Sequence, residues 1–232
     1  MQYADKLVVF DLDGTLNRTD LFAVDAHLTA LREYGRTDVW GELVAATFGA
    51  AWQDYMKVLL PDADPATWKA YLARVAELEV IFMKERGAPF AGAEQMLSDL
   101  RGYGFALRFA PMRRRGISRR SKRWADAPDR LHTAACCRHE QKGHLRLLLA
   151  RETPAKAVMV GDRCYDLEAA RANGIPFIGC LYGFNPEEVK TADKTVCTLR
   201  NHRLCAATAG SMTDQSHRRQ HRSINLSGRM VL

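Results

Sequence analysis

The chain has 232 residues and a hydrophobic fraction of 47%, enough for one large domain or for a core with a small insertion. No apolar run reaches the roughly eighteen residues of a membrane span, and the N-terminus lacks the charged-then-apolar pattern of a secretory signal, so the expected setting is cytoplasmic, with the cysteines as thiols. The net charge of +7 is unevenly spread: −5 over residues 1–108, +6 over 109–140, +1 over 141–196 and +5 over 197–232.

The first predicted element is a strand at Lys6-Leu7-Val8-Val9-Phe10. Four apolar residues in a row, three of them good strand formers, suit a strand buried on both faces. It runs directly into Asp11-Leu12-Asp13-Gly14. Two carboxylates one residue apart at the end of an apolar strand repel each other, and neither can be hidden cheaply. A divalent metal between them is the usual remedy. Gly14 permits a tight turn or a close backbone approach just there, and ligands of open α/β sheets bind at strand ends of this kind. The plain alternative is an Asp-Gly turn after a strand.

After Leu16 the pattern becomes helical. Asp20 can cap a helix whose apolar residues Leu21, Val24, Leu28 and Leu31 recur at about 3.6-residue spacing up to Gly35. Amphipathic stretches follow at Val39–Phe48, Ala51–Leu60 and Pro65–Lys84, the last opened by Asp64 as N-cap and Pro65 at the first helical position. Residues 17–86 therefore read as a bundle of about four helices inserted into an α/β pattern. A break at Gly87–Gly92 leads to a helix at Ala93–Arg101 and a second strand at Phe105–Phe109, the grammar of a parallel sheet.

That grammar stops after Phe109. Met112–Arg123 holds seven basic residues, and no strand or amphipathic helix is predicted before about Gly143, with order returning at Gln141-Lys142. Leu145, Leu148 and Leu149 then stripe a helix to Arg151, Ala157–Val160 reads as a buried strand, and Cys164–Asn173 as a helix closed by Gly174. Ile175–Ile178 reads as a further strand ending before Gly179, and Pro186 starts a short helix. The tail from about Cys197 is irregular, and its last part, Ser211–Leu232, has the polar, basic composition of disorder.

Gly161-Asp162-Arg163-Cys164-Tyr165-Asp166 supplies a second carboxylate pair. Asp162 leaves a strand as Asp11 does, so parallel neighbouring strands would bring the two together. Asp166 sits at a helix start, where the helix dipole favours a carboxylate, and a simple capping role is its plain alternative. Lys142 is the candidate cation. At ~4 Å and an effective dielectric of ~20, one charge contact is worth about 4 kcal/mol before desolvation. An ordinary solvated lysine at a helix start is the alternative reading.

The string Asp11-Leu12-Asp13-Gly14-Thr15-Leu16 after an apolar strand resembles the first motif of the haloacid dehalogenase-type phosphohydrolases. The stretch from Gly161 to Gly183 resembles the metal motif of the same family, most nearly its phosphoglycolate phosphatase-like branch. The resemblance implies a Rossmann-like parallel sheet, with residues 1–16 and 87–196 as the core and 17–86 as a helical cap that helps to choose the substrate. It further implies Asp11 as the nucleophile that takes the phosphoryl group and Asp13 as general acid/base. Mg²⁺ would be held by Asp11, the Asp13 backbone carbonyl and Asp162, with Asp166 supporting the metal shell, and Lys142 would stand as the catalytic cation. The implied substrate is a small phosphorylated metabolite, and the chain a monomer or homodimer. The chain departs from the family pattern after the second strand, where a Ser or Thr is expected and Ala110-Pro111 stands.

The two basic blocks hold four of the six cysteines and five of the seven histidines. They read as translation in a shifted frame, with 110–140 irregular and 197–232 an irregular tail. Cys136-Cys137-Arg138-His139 does not match zinc-finger spacing. The Arg run has only Trp124 as a nearby aromatic and no recognisable module, which argues against nucleic acid. The expected function is thus a Mg²⁺-dependent phosphatase acting through an aspartyl-phosphate, impaired if the 110–140 segment is aberrant. The alternatives are an inactive binding protein on the same fold, or a nucleic-acid binder using the basic segments.

Overall fold

A computed structural model describes residues 5–48, 50, 52–110 and 138–199. The irregular segment expected at 110–140 falls almost wholly, and the tail at 197–232 largely, outside these residues. So do Ser118 and Ser121, the nearest hydroxyls after the second strand.

Among the described residues, strand β1 (Lys6–Phe10) lies inside a sheet of five strands in the order β2-β1-β3-β4-β5, with β2 at Ala106–Phe109, β3 at Lys156–Gly161, β4 at Phe177–Cys180 and β5 at Lys194–Val196. Every neighbouring pair is parallel. The expected α/β class is what forms, and the reason is visible in β1. Leu7, Val8, Val9 and Phe10 are all buried, and their alternation feeds two cores. Val8 and Phe10 join Leu107, Phe109, Val160 and Ile178 against helix α5 (Ala93–Gly102), which contributes Met96, Leu97 and Leu100. On the opposite face Leu7 and Val9 join Met159, Phe177 and two helices, α6 (Arg138–Glu152) and α7 (Cys164–Ala172), through Leu145, Leu148 and Leu167.

Helices α1 (Asp20–Glu33), α2 (Gly41–Thr47), α3 (Trp52–Leu59) and α4 (Pro65–Arg86) account for the four predicted helical stretches. They share a third core of their own, built on Phe22, Leu31, Val44, Met56, Tyr71 and Val75. Asp64 caps α4 as expected, its carboxylate accepting from the Thr67 N–H at 2.6 Å. His27 and Tyr71 are buried in this core with His27 Nδ1 and the Tyr71 hydroxyl 2.7 Å apart.

Four local expectations change. Thr19, not Asp20, holds the N-cap position of α1, and Asp20 is the first helical residue, ion-paired with Arg18. Helix α6 begins at Arg138 rather than Gln141. Strand β4 is displaced by two residues to Phe177–Cys180, so Gly179 is inside it; Val189 of the 3₁₀ turn Pro186–Val189 fills the space a side chain there would need. The three-residue strand β5 had no visible signal. Leu199, just past it, still packs into the core with Val8 and Phe10.

Candidate active site

The parallel pairing of β1 with β3 places the ends of both strands side by side. Phe10 is in register with Val160, and the Asp11 N–H donates to the Val160 carbonyl at 2.9 Å. Asp11 and Asp162 therefore leave neighbouring strands at the same level. The turn beyond Asp11 is tight: the Leu12 carbonyl accepts from the N–H groups of Thr15, Leu16 and Asn17. Asp166 lies in the first turn of α7 and accepts from the Arg163 N–H at 3.1 Å. Carboxylate oxygens of Asp11, Asp162 and Asp166 all lie within 4.8 Å of one another, and all three residues are buried.

Asp162 accepts two hydrogen bonds. Thr15 Oγ1 donates to its Oδ1 at 3.0 Å and the Phe184 N–H to its Oδ2 at 2.8 Å. Two glycines make room for it. Gly14 has φ +82°, and a Cβ there would strike the Asp162 carboxylate and the Phe184 ring; a Cβ at Gly183 would strike the Asp162 side chain. Asp166 accepts in addition from Gln141 Nε2 at 2.5 Å. Asp11 Oδ1, by contrast, is buried with no hydrogen-bond partner among the described residues, and so is Gln141 Oε1.

Burial dominates the electrostatics. It pushes Asp162 up to about 7, with the Asp166 charge adding to it and the donors Phe184 N–H and Thr15 Oγ1 opposing. Burial pushes Asp166 up to about 6 against the Gln141 hydrogen bond. Asp11 is raised well above the usual carboxylate range, by burial first and then by the charges of Asp166, Asp162 and Asp13. The guanidinium of Arg163 is close by, but it is committed to Glu188, with Nε–Oε2 at 2.7 Å and Nη2–Oε1 at 3.0 Å. Three buried acids with an orphaned oxygen and a committed neighbouring cation form a donor set that fits a hard divalent ion, which takes oxygen ligands.

Asp13 stands apart from these three. Its Oδ1 accepts from Thr19 Oγ1 at 2.5 Å, which explains why Thr19 holds the N-cap position without capping α1 through its side chain. Lys142 is not brought to the cluster: its Nζ pairs with Glu168 of α7 at 3.1 Å on a partly exposed surface. With α6 starting at Arg138, Lys142 lies inside the helix rather than at its start, and consecutive helical side chains point about 100° apart. Gln141 takes the direction towards Asp166. After β2 comes Ala110, whose N–H donates to the Phe10 carbonyl at 2.8 Å and whose methyl is buried, so this position itself offers no side-chain hydroxyl.

The sequence alone assigns no role to Thr15, Thr19, Gln141 or Phe184. Thr15 and Thr19 lie within six residues of Asp13, so hydroxyls that close to paired acids were a usable signal. Gln141 and Phe184 had none, since their roles depend on a helix start and a loop path.

The sequence profile described as Haloacid dehalogenase-like hydrolase matches residues 8–180, from β1 to the end of β4. The chain belongs to this family. Among curated relatives of this haloacid dehalogenase-like hydrolase, the Probable phosphatase IndB of Dickeya dadantii (strain 3937) is 27% identical over 212 residues, covering 82% of this chain and 87% of that protein. A Phosphoglycolate phosphatase of Xylella fastidiosa (strain 9a5c) is 27% identical over 197 residues, covering 79% of this chain and 83% of the relative. Among solved structures, a predicted phosphatase from Clostridium acetobutylicum superposes with a TM-score of 0.72 at 21% identity, over 89% of this chain and 100% of the other, a likeness of fold. Among the described residues, no helix is long and apolar enough to cross a membrane.

Proposed function

We propose that the chain is a cytoplasmic, Mg²⁺-dependent phosphatase that hydrolyses a small phosphate monoester of the phosphoglycolate kind through an aspartyl-phosphate on Asp11. The observation that carries this reading is the convergence of Asp11, Asp162 and Asp166, buried, within 4.8 Å, with Asp11 Oδ1 unpartnered among the described residues. Asp11, the Asp13 backbone carbonyl and Asp162 would hold the ion, with Asp166 supporting them. When bound, Mg²⁺ supplies Lewis-acid charge neutralisation that lets an anionic ester approach these carboxylates.

The chain's own residues then do the following. Asp11 attacks phosphorus with a carboxylate oxygen, and the ester oxygen leaves with a proton from Asp13. Asp13, now ionised, takes a proton from water, which attacks the acyl phosphate and frees Asp11 with release of inorganic phosphate. Thr19, donating to Asp13 Oδ1, fixes the rotamer of that acid. Asp166 and Gln141 hold the floor of the site, and α1–α4 act as the cap that selects the alcohol. Lys142, paired with Glu168, is left out of the reading.

A specific observation favours a second reading. Ala110 offers a methyl where a hydroxyl would serve the phosphoryl group, and losing one donor of that type typically costs about 10²–10³ in rate. A non-catalytic phosphate-binding protein on the same fold is therefore the alternative. Assay of a phosphate-ester panel with Mg²⁺ and with EDTA decides between them. The phosphatase reading expects slow hydrolysis that EDTA abolishes and that Asp11→Asn lowers by about 10³ or more. Turnover equal in wild type and Asp11→Asn, or none at all with phosphate still bound, favours the alternative.

A further inference from the structure

The loop after β4 touches three separate parts of the molecule. Tyr182 donates its hydroxyl to the Thr15 carbonyl at 2.8 Å, and its ring lies edge-on to Phe90, 4.7 Å between centroids, where the chain returns from the helices to the sheet. Two residues on, the Phe184 N–H donates to Asp162 Oδ2. The Phe184 ring does not pack with the sheet cores. It packs with the α1–α4 core, meeting Phe48 at the end of α2 edge-on at 5.2 Å. Phe48 is itself buried beside His27, 5.7 Å away. The missing Cβ of Gly14 is what lets the ring lie this close to the turn beyond Asp11.

One residue thus belongs to two places at once: its backbone holds a carboxylate of the site, and its ring is held by the helices. We propose that Phe184 is a positioning residue through which the seating of α1–α4 on Phe48 sets the metal affinity of Asp162, a proposal that rests on the metal reading given under Proposed function. With Phe48 in place, Phe184 is pinned and its N–H fixes Asp162 Oδ2, leaving the carboxylate turned towards Asp11 and Asp166. Without that contact the loop is free to move and Asp162 loses one of its two orienting donors. Coupling of this kind is reciprocal, so metal binding also favours the seated helices.

The test is Mn²⁺ binding to the full chain without substrate, read from the electron paramagnetic resonance signal of free Mn²⁺. Groups that orient metal ligands typically contribute about 10–100-fold to affinity. Phe184→Ala and Phe48→Ala are each expected to weaken Mn²⁺ binding about tenfold, and the double variant no more than either alone. Phe48→Leu, which keeps an apolar side chain and tolerates folding best, is expected to lose about threefold. Tyr71→Phe, which perturbs the same helical core without touching Phe184, is expected to leave affinity unchanged. A dissociation constant within twofold of wild type for folded Phe48→Ala, or for Phe48→Leu where Phe48→Ala fails to fold, overturns the proposal. So does a loss in Tyr71→Phe equal to that in Phe48→Ala. Wild-type protein that takes up no Mn²⁺ overturns the metal reading itself, and the coupling with it.

Discussion

The α1–α4 core and the carboxylate cluster both bury polar groups, and they treat them in opposite ways. In the helices, His27 is paired with Tyr71 at 2.7 Å and surrounded by the rings of Phe48, Tyr55 and Tyr71, a site where the protein provides the partner. At the strand ends, Asp11, Asp162 and Asp166 are buried together, all pushed towards protonation, and Asp11 Oδ1 has no partner among the described residues. The first arrangement stabilises the fold. The second costs stability, and such a cost is kept where charge is reserved for a ligand.

The larger expected effect that separates the two regions is in pH. The folded acids hold protons that the unfolded chain releases near pH 4, so the folded state is the better proton binder between that pH and the raised values of about 6 and 7. Stability of the metal-free chain in EDTA is therefore full below pH 4 on this account and is lost as pH rises through 7. The expected fall in melting temperature between pH 5 and pH 8 is on the order of 10 °C. Asp162→Asn should flatten it, because one of the titrating groups is gone. A metal-free melting temperature that holds level or rises over that range would break the comparison.

A smaller effect, of opposite meaning, is expected in the helices. Tyr71→Phe takes from buried His27 Nδ1 its hydroxyl neighbour and should cost about 1–3 kcal/mol of unfolding free energy by urea denaturation. It should do so equally with and without Mg²⁺, since this pair serves the fold alone. A loss that Mg²⁺ restores would mean the two regions are not distinct in the way described.

Much of this contrast was legible beforehand, for a physical reason in each case. The run Leu7–Phe10 is too apolar for a strand with a wet face, and it is buried on both sides. Asp162 follows a strand just as Asp11 does, and parallel pairing in register made their meeting a matter of geometry. What stayed hidden depends on offsets of a few residues or on loop paths. With α6 starting at Arg138, Gln141 and Lys142 both lie within it, and it is Gln141 that faces Asp166. The shift of β4 moves Gly179 from a strand end to its interior. Strand β5 has three residues, too few for any periodicity, and is held by pairing with β4. The role of Phe184 required knowing that the loop after β4 passes between the Asp11 turn and Phe48. Ala110 was legible as a place without a hydroxyl side chain, and its methyl is buried beside the end of β1.

Everything proposed for the site depends on three carboxylates, drawn from β1, β3 and α7, sharing one divalent cation. Isothermal titration of the chelator-stripped chain with Mg²⁺ at pH 8, above the raised values of Asp162 and Asp166, measures this directly. The account predicts uptake of a single ion per chain at this site and its loss in Asp162→Asn, with the variant still folded. Mg²⁺ uptake that is the same in Asp162→Asn as in wild type, or absent from both, would contradict it.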